Sequence, residues 1–463
     1  MGRAADRAVL WPVALSAVPM IVLGWARYRL QLPMGDEPHY LVISQALRDY
    51  GSLDVARVYD SGGYRSFYPG WIEPHVAPGP DGSPLPLHSI GGPVLWLVPF
   101  LLWGRAGVIA FMTVVSLLVV ANVYWLSRAL GVDRAVAVAT ATAFGIGTPL
   151  LTYSAMSFVE PIGALGCVYA LRLLQQRDLR TGDLLAVSAA LGALPWVHSR
   201  FLLFPVVLLG LLAVRVGADR RRLLCLLVPA AVLLLGLELF DALVWGTLWP
   251  APNQVSAGAV PFAADPLPGL SGTVFDQEAG VLPNFPVLVL VLPGLLLAAR
   301  GHVRLNLPVA AVVLPYLLVV CSFPAWFGAW SPPARFAAVV LPMLAGYVAV
   351  ALQRMWSVAA VALTAALAGF GLLLTALAVG VEGGGFSGQS GRSPTWAALG
   401  ELTGLDLARF VPSSALDGQA VLFAAWAGAA LAVTLAVRVC CGRRVSPPAA
   451  APVPRPEPVA DPG

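Results

Sequence analysis

The sequence contains no lysine at all: its 28 basic residues are all arginine. So complete a replacement reads as the coding bias of a GC-rich bacterium, and the formal net charge of +4 points to no nucleic-acid partner. Charge of either sign is scarce. Only 11% of residues are charged, against about a quarter in a soluble domain, which excludes a large soluble domain. Cysteine is sparse as well, five in 463 residues. Cys167, Cys225 and Cys321 sit inside apolar runs as small hydrophobes, and Cys440 and Cys441 flank the last helix. There is neither a disulfide framework nor a metal-type cysteine spacing, and no internal repeat. What fills the chain is apolar: 58% hydrophobic residues and a mean hydropathy of +0.80. Such a chain accommodates about a dozen helices of roughly 20 residues. The expected fold is an all-α polytopic membrane protein with about 12 transmembrane helices.

Arginine sets the expected orientation. Arg3 and Arg7 precede a first helix at about Ala8 to Trp25, read as uncleaved, so the chain starts in the cytoplasm. The next apolar stretch, Ile90 to Trp103, is short and broken by Gly91, Gly92 and Pro93, and is expected to lie in the interface. With it left out of the count, the loops carrying Arg128 and Arg134, Arg172 to Arg180, Arg215 to Arg222, Arg300 and Arg304, Arg354, and Arg438 to Arg444 all fall inside. Counting it as a span would put all of them outside, against the positive-inside rule. The expectation is one transmembrane domain over 1–444, with a first extracytoplasmic loop over 31–107 that holds interfacial helices. The alternating proline, alanine and valine of 445–463 form a disordered cytoplasmic tail. Both termini are cytoplasmic on this reading, in a bacterial plasma membrane.

The polar residues then sort by side. His39, His75 and His88 fall in the first outer loop with Asp36 and Glu37, while His198 and Arg200 cap an outer hairpin. Glu160, the Asp276, Gln277, Glu278 triplet and Arg335 are outer as well. The centre of interest is Gly35 to Tyr40, Gly-Asp-Glu-Pro-His-Tyr, two adjacent acids at the exit of the first helix. Asp36 reads in two ways. It is an N-cap for an amphipathic helix with Tyr40, Ile43 and Leu47 on one face, closed by Gly51. It is also a candidate general base, since burial at such a position raises a carboxylate pKa. Glu238 and Asp241, three apart inside a spanning helix, are costly there and tend to face a cavity. The histidines are spaced irregularly, with no HxxxH or equivalent ligand pair, so no cofactor is expected and a divalent metal is the less favoured reading.

These motifs resemble the GT-C superfamily of membrane glycosyltransferases, in particular the group of protein O-mannosyltransferases and lipid A aminoarabinose transferases. The matching features are the acidic pair after the first helix, Tyr68 to Gly70, Glu160 with Pro161, and Trp330 to Arg335 in Trp-Ser-Pro-Pro-Ala-Arg. The match runs over roughly residues 8 to 354. It departs where relatives have Tyr-Pro-Glu, since Phe158 and Val159 precede Glu160 here, and no large C-terminal extracytoplasmic domain follows. The resemblance implies transfer of a sugar from a polyprenyl-phosphate donor to a glycan, lipid or protein acceptor at the outer face, with inversion. It implies Asp36 as catalytic base with Glu37 beside it, and His39, His88, Glu160 and Asp276 toward acceptor or sugar. Arg335 and Arg200 would hold the donor phosphate. Membrane lipids are the other partners. Two alternatives remain at this point, a transporter or flippase of lipid-linked sugars and a polysaccharide polymerase or ligase. A flippase would show inverted repeats and midplane polar residues, whereas a polymerase or ligase would rely on outer arginine and histidine.

Overall fold

Apolar runs in lipid fold as helices because the backbone there must satisfy its hydrogen bonds within one segment. The computed structural model describes residues 6–248, 251–258, 263–299, 301–386 and 388–442. Arg3, Arg300, Arg443, Arg444 and the proline-rich tail 445–463 lie outside the described residues. Seven of the described helices are long and apolar enough to cross a membrane: Arg7–Leu30, Leu97–Ala129, Ser199–Val216, Arg220–Trp245, Val303–Cys321, Val358–Gly380 and Ala420–Arg438. The other five expected positions hold shorter helices, Arg134–Gly147, Glu160–Gln175, Thr181–Val197, Pro286–Ala298 and Leu341–Met355. Helices therefore stand at the expected positions, but among the described residues seven have spanning length, and the expected count of twelve spans is not established.

The segment expected to lie in the interface is set off from the span that follows it. Gly91–Leu95 forms a short helix, and the longer helix after it is interrupted at Gly104, whose backbone stands at φ 55°, ψ −138°. A Cβ at Gly107 would sit 2.0 Å from the Pro99 carbonyl oxygen, so the chain folds back sharply across this break. Val94, Leu95, Val98, Leu101, Leu102 and Trp103 remain exposed, an apolar face suited to lipid.

Polar side chains join loops in two separate sets, which gives the bundle two chemically distinct ends. In one set Asp6 pairs with Arg128 at 3.6 Å and Arg134 at 3.4 Å. Asp133 donates its amide to Gln353 at 2.8 Å, and Gln175 donates to the Arg304 carbonyl at 2.6 Å. Arg215 and Arg222 donate to the carbonyls of Gln176 and Leu179. In the other set the first loop meets 157–160, 198–200 and 328–335, as described below. No ion pair among the described residues joins the two sets, as alternating spans require. The described residues also include a two-stranded antiparallel hairpin, Val76–Pro78 with Pro84–Pro86, in register Val76 to Pro86.

Candidate active site

The turn before the first-loop helix aims its acid at a distant arginine. Gly35 has φ 58°, and an added Cβ would lie 2.3 Å from the Trp330 carbonyl oxygen, so the chain passes hard against the 328–335 segment. Asp36 precedes the helix Glu37–Tyr50, which Gly51 closes in the left-handed conformation. The expected N-cap bond is absent: the Asp36 backbone is already helical and its side chain caps nothing. Instead the carboxylate forms an ion pair with the Arg335 guanidinium.

That pair is the start of an alternating chain of charges. Arg335 Nε donates to Glu160 Oε1 at 3.2 Å, and Arg200 Nη2 donates to the same oxygen at 2.6 Å. Glu160 is fully buried and Arg335 is 5% exposed. Arg335 also donates from Nη1 to the Gly328 carbonyl at 2.9 Å, and its plane lies 4.7 Å over the Phe158 ring. Arg200 lies 4.7 Å over Phe336 and 3.3 Å from His198 Nε2. Two carboxylates and two guanidiniums thus balance to zero in a largely water-free setting, where each is costly without the others. Two buried polar atoms here have no partner, Glu160 Oε2 and Arg200 Nε. Burial, the largest influence on Asp36, pushes its pKa up, but the charge and hydrogen bond of Arg335 act in the opposite direction and the carboxyl is held well below its usual range. Asp36 alone keeps appreciable exposure, 21% of its side chain.

The second acid of the pair faces elsewhere. Glu37 is buried, with Oε1 accepting from the Ser157 amide at 2.9 Å and its hydroxyl at 3.3 Å, and Oε2 accepting from the Met34 amide at 3.2 Å. It fastens the first loop to 157–160, and so fixes Asp36 relative to Glu160. The hydrogen bonds of Glu37, expected beside Asp36 in the chemistry, thus run to Ser157 and Met34 and not to the Arg335 that pairs with Asp36.

The three first-loop histidines form one stack, brought together by the hairpin. His75 and His88 flank its two strands, and the Leu87 amide donates to the His75 carbonyl at 3.2 Å. His75 Nδ1 lies 3.1 Å from His88 Nε2, and the His39 ring stacks on His75 at 3.5 Å between centroids. Tyr59 hydroxyl lies 2.9 Å from His39 Nδ1. Burial pushes His88 down to about 4 and, with help from His75 and His88, His39 down to about 2; His75 is lowered by burial too. The stack is therefore neutral near pH 7. One ligand atom each from Asp36, His75 and His88 lies within 4.8 Å of the others, close enough to hold a metal ion. Sequence spacing carried no sign of this group, and the argument from irregular spacing does not survive the hairpin. His75, which had no assigned role, and Tyr59 belong to the cluster.

Asp276 is not brought to this cluster. Its Oδ1 accepts from the amides of Glu278 at 2.7 Å and Ala279 at 2.8 Å, and its Oδ2 from the amide and hydroxyl of Ser414 at 2.7 and 2.6 Å. Four donors saturate the carboxylate, so Asp276 staples its loop to residues 411–414. Glu278 takes the amides of Ser390 and Gly391 at 3.1 and 3.0 Å. The contribution to the site is indirect: the Ala334 amide donates to the Ala279 carbonyl at 2.9 Å, next to Arg335.

No protein-family model and no curated protein matches the chain. Among solved structures it is similar to ArnT from Cupriavidus metallidurans bound to undecaprenyl phosphate, with a TM-score of 0.50 at 17% identity over 95% of this chain and 73% of that one. ArnT in the apo state gives a TM-score of 0.47 at 17% identity, covering 94% of this chain and 71% of that one. The apo oligosaccharyltransferase of Archaeoglobus fulgidus gives 0.46 at 15% identity over 88% of this chain, which spans 57% of that protein's length. The likeness to undecaprenyl-phosphate-bound ArnT is one of fold, a shared arrangement of membrane helices.

Proposed function

We propose that this chain is an integral-membrane glycosyltransferase that moves a sugar from a polyprenyl-phosphate donor to an extracytoplasmic acceptor, inverting the anomeric carbon. The observation that carries the reading is the charge chain Asp36, Arg335, Glu160, Arg200. It sits in a GT-C-like fold, of which one solved example, ArnT, holds undecaprenyl phosphate. The cluster end is the extracytoplasmic end, both termini are cytoplasmic, and residues 1–444 make one domain with the 31–107 loop carrying the acid.

In this mechanism the acceptor hydroxyl oxygen attacks the anomeric carbon from the face opposite the phosphate. The bond from that carbon to the phosphate oxygen breaks, and the hydroxyl proton passes to Asp36. Polyprenyl phosphate leaves with its added charge held by guanidinium groups. Arg335 serves both halves. While it pairs with Asp36, that carboxylate is a weak base; a donor phosphate competes for the same guanidinium, and drawing Arg335 away restores the basicity of Asp36. Arg200, with Nε unpartnered, is the second phosphate donor. Glu160 holds both arginines rather than touching the acceptor, His39 and His88 line the acid's other flank, and Glu37 and Asp276 act as positioning residues.

The test is transfer from radiolabelled polyprenyl-phosphate sugars into membranes containing the wild-type protein or Asp36→Asn, with release of polyprenyl phosphate followed. Loss of a general base lowers the rate by about 100-fold or more, while insertion and folding stay intact. Near-normal turnover by Asp36→Asn overturns the base assignment. Donor that changes leaflet unaltered, whatever stands at position 36, establishes a flippase instead.

A further inference from the structure

A second acidic pair lies outside the charge chain. Glu238 and Asp241 sit three apart on the spanning helix Arg220–Trp245, so they share one face. The opposite face is bare apolar surface: Val232, Leu235, Leu239 and Leu243 are 61 to 77% exposed, as lipid contact requires. The acids instead line an open cavity on the inner side of the helix. Asp241 is 7% exposed, and neither acid has an ion pair or hydrogen bond among the described residues. An ionisable group buried at a membrane helix with no internal partner is costly and marks a place where something polar binds.

The other walls say what that something is. Trp196 and Phe240 stand there with ring centroids 5.5 Å apart, apolar faces beside carboxylate acceptors. Flat rings for the C–H faces of a sugar and carboxylates for its hydroxyls are complementary to a hydroxyl-rich ring. The cavity also borders the candidate active site. His88 lines it and is hydrogen-bonded to His75 in the cluster at Asp36, and Ser199 lines it next to Arg200. Its walls differ electrostatically, since Ser199 on one wall precedes Arg200 of the charge chain and the unpaired carboxylates lie along the helix wall. A phosphate is repelled by the acids and drawn to the arginines. A neutral sugar attached to that phosphate faces the acids, while the prenyl tail keeps to the lipid outside the helix.

We propose that this cavity seats the sugar ring of the lipid-linked donor, and that Glu238 and Asp241, by accepting hydrogen bonds from its hydroxyls, determine which sugar is transferred. The inference rests on the glycosyltransferase reading above. It is tested with full-length wild-type protein and with Glu238→Gln and Asp241→Asn, near-isosteric changes, in membranes. The donors are undecaprenyl phosphate carrying glucose, mannose, galactose, N-acetylglucosamine or arabinose. The expected result is a donor KM raised at least about 10-fold, equivalent to about 1.4 kcal/mol, with kcat changed less than about 3-fold and the ranking of the five sugars altered. Binding of undecaprenyl phosphate without a sugar stays unchanged, which a merely structural role does not predict. An unchanged donor KM and ranking overturn the proposal, and so does a shift confined to the acceptor KM. In both cases wild-type transfer, still abolished by Asp36→Asn, leaves the glycosyltransferase reading standing. If wild-type protein transfers none of the five sugars while Asp36→Asn behaves identically, the glycosyltransferase reading fails and this inference with it.

Discussion

Replacing Arg335 by methionine isolates what the charge chain contributes. The side chain is almost fully buried and gives three donors to three acceptors in different directions: Asp36, Glu160 and the Gly328 carbonyl. Methionine keeps much of the stem but neither the charge nor the guanidinium stacked on Phe158. Breaking a buried pair by removing one partner costs about 3–5 kcal/mol, because the other charge is left behind. Here Glu160 retains Arg200 at 2.6 Å, and Asp36 has 21% exposure through which water can reach it. The expected loss is therefore at the lower end, about 3 kcal/mol, with Asp36 the orphan. Adding Asp36→Asn removes that orphaned charge. The double variant is expected to recover about 1–2 kcal/mol relative to Arg335→Met alone, a coupling within the usual range for residues in contact. The assay is denaturant unfolding of the detergent-solubilised protein for the four members of the cycle. Binding of undecaprenyl phosphate runs alongside and is expected to be lost in both Arg335 variants. Stability of Arg335→Met within about 0.5 kcal/mol of wild type, or a double variant no more stable than the single, would refute the view that one guanidinium neutralises both acids.

Gly35→Ala combines a positive φ with a Cβ only 2.3 Å from the Trp330 carbonyl; it is expected to cost at least about 1–3 kcal/mol and to displace Asp36, so unfolding and transfer both suffer, and normal values for both would be inconsistent with this backbone. Glu37→Gln replaces charge-assisted acceptance from Ser157 and Met34 and is expected to lose about 2 kcal/mol, with kcat falling and donor KM little changed; a rise in KM alone would instead mean direct contact with the donor. His88 is pushed from its ordinary 6.5 down to about 4 by burial, so between those values the unfolded chain binds more protons than the folded one. Stability is thus complete above pH 6.5 and falls on acidification toward pH 4 by about 1.4 kcal/mol per pH unit for each such histidine. Unfolding at pH 7 and pH 5, with His88→Asn as control, reads this directly, and equal stability at both is the contrary result.

What could be read along the chain was what depends on neighbours in sequence. Apolar length and arginine placement identify helices at all twelve expected positions, and the broken run from Ile90 separates from its span at Gly104, because hydropathy and glycine act locally. The site depends on residues far apart: Asp36 and Arg335 are separated by 299 positions, and His75 meets His88 only because a hairpin turns between them. Residue type alone does not distinguish Asp36 from Asp276, both being acids in loops beside proline and glycine. Partners do. Asp276 accepts from four backbone and hydroxyl donors held by its own and a neighbouring loop, leaving no lone pair for a substrate. Asp36 forgoes even its N-cap bond, takes a side-chain guanidinium that a phosphate can compete for, and keeps an open edge. A carboxylate satisfied by fixed amides is committed to the fold, whereas one satisfied by another side chain's charge can be released when that charge finds a better anion. That criterion supports the proposal of Asp36, rather than Glu37 one residue away, as the acid that takes the proton.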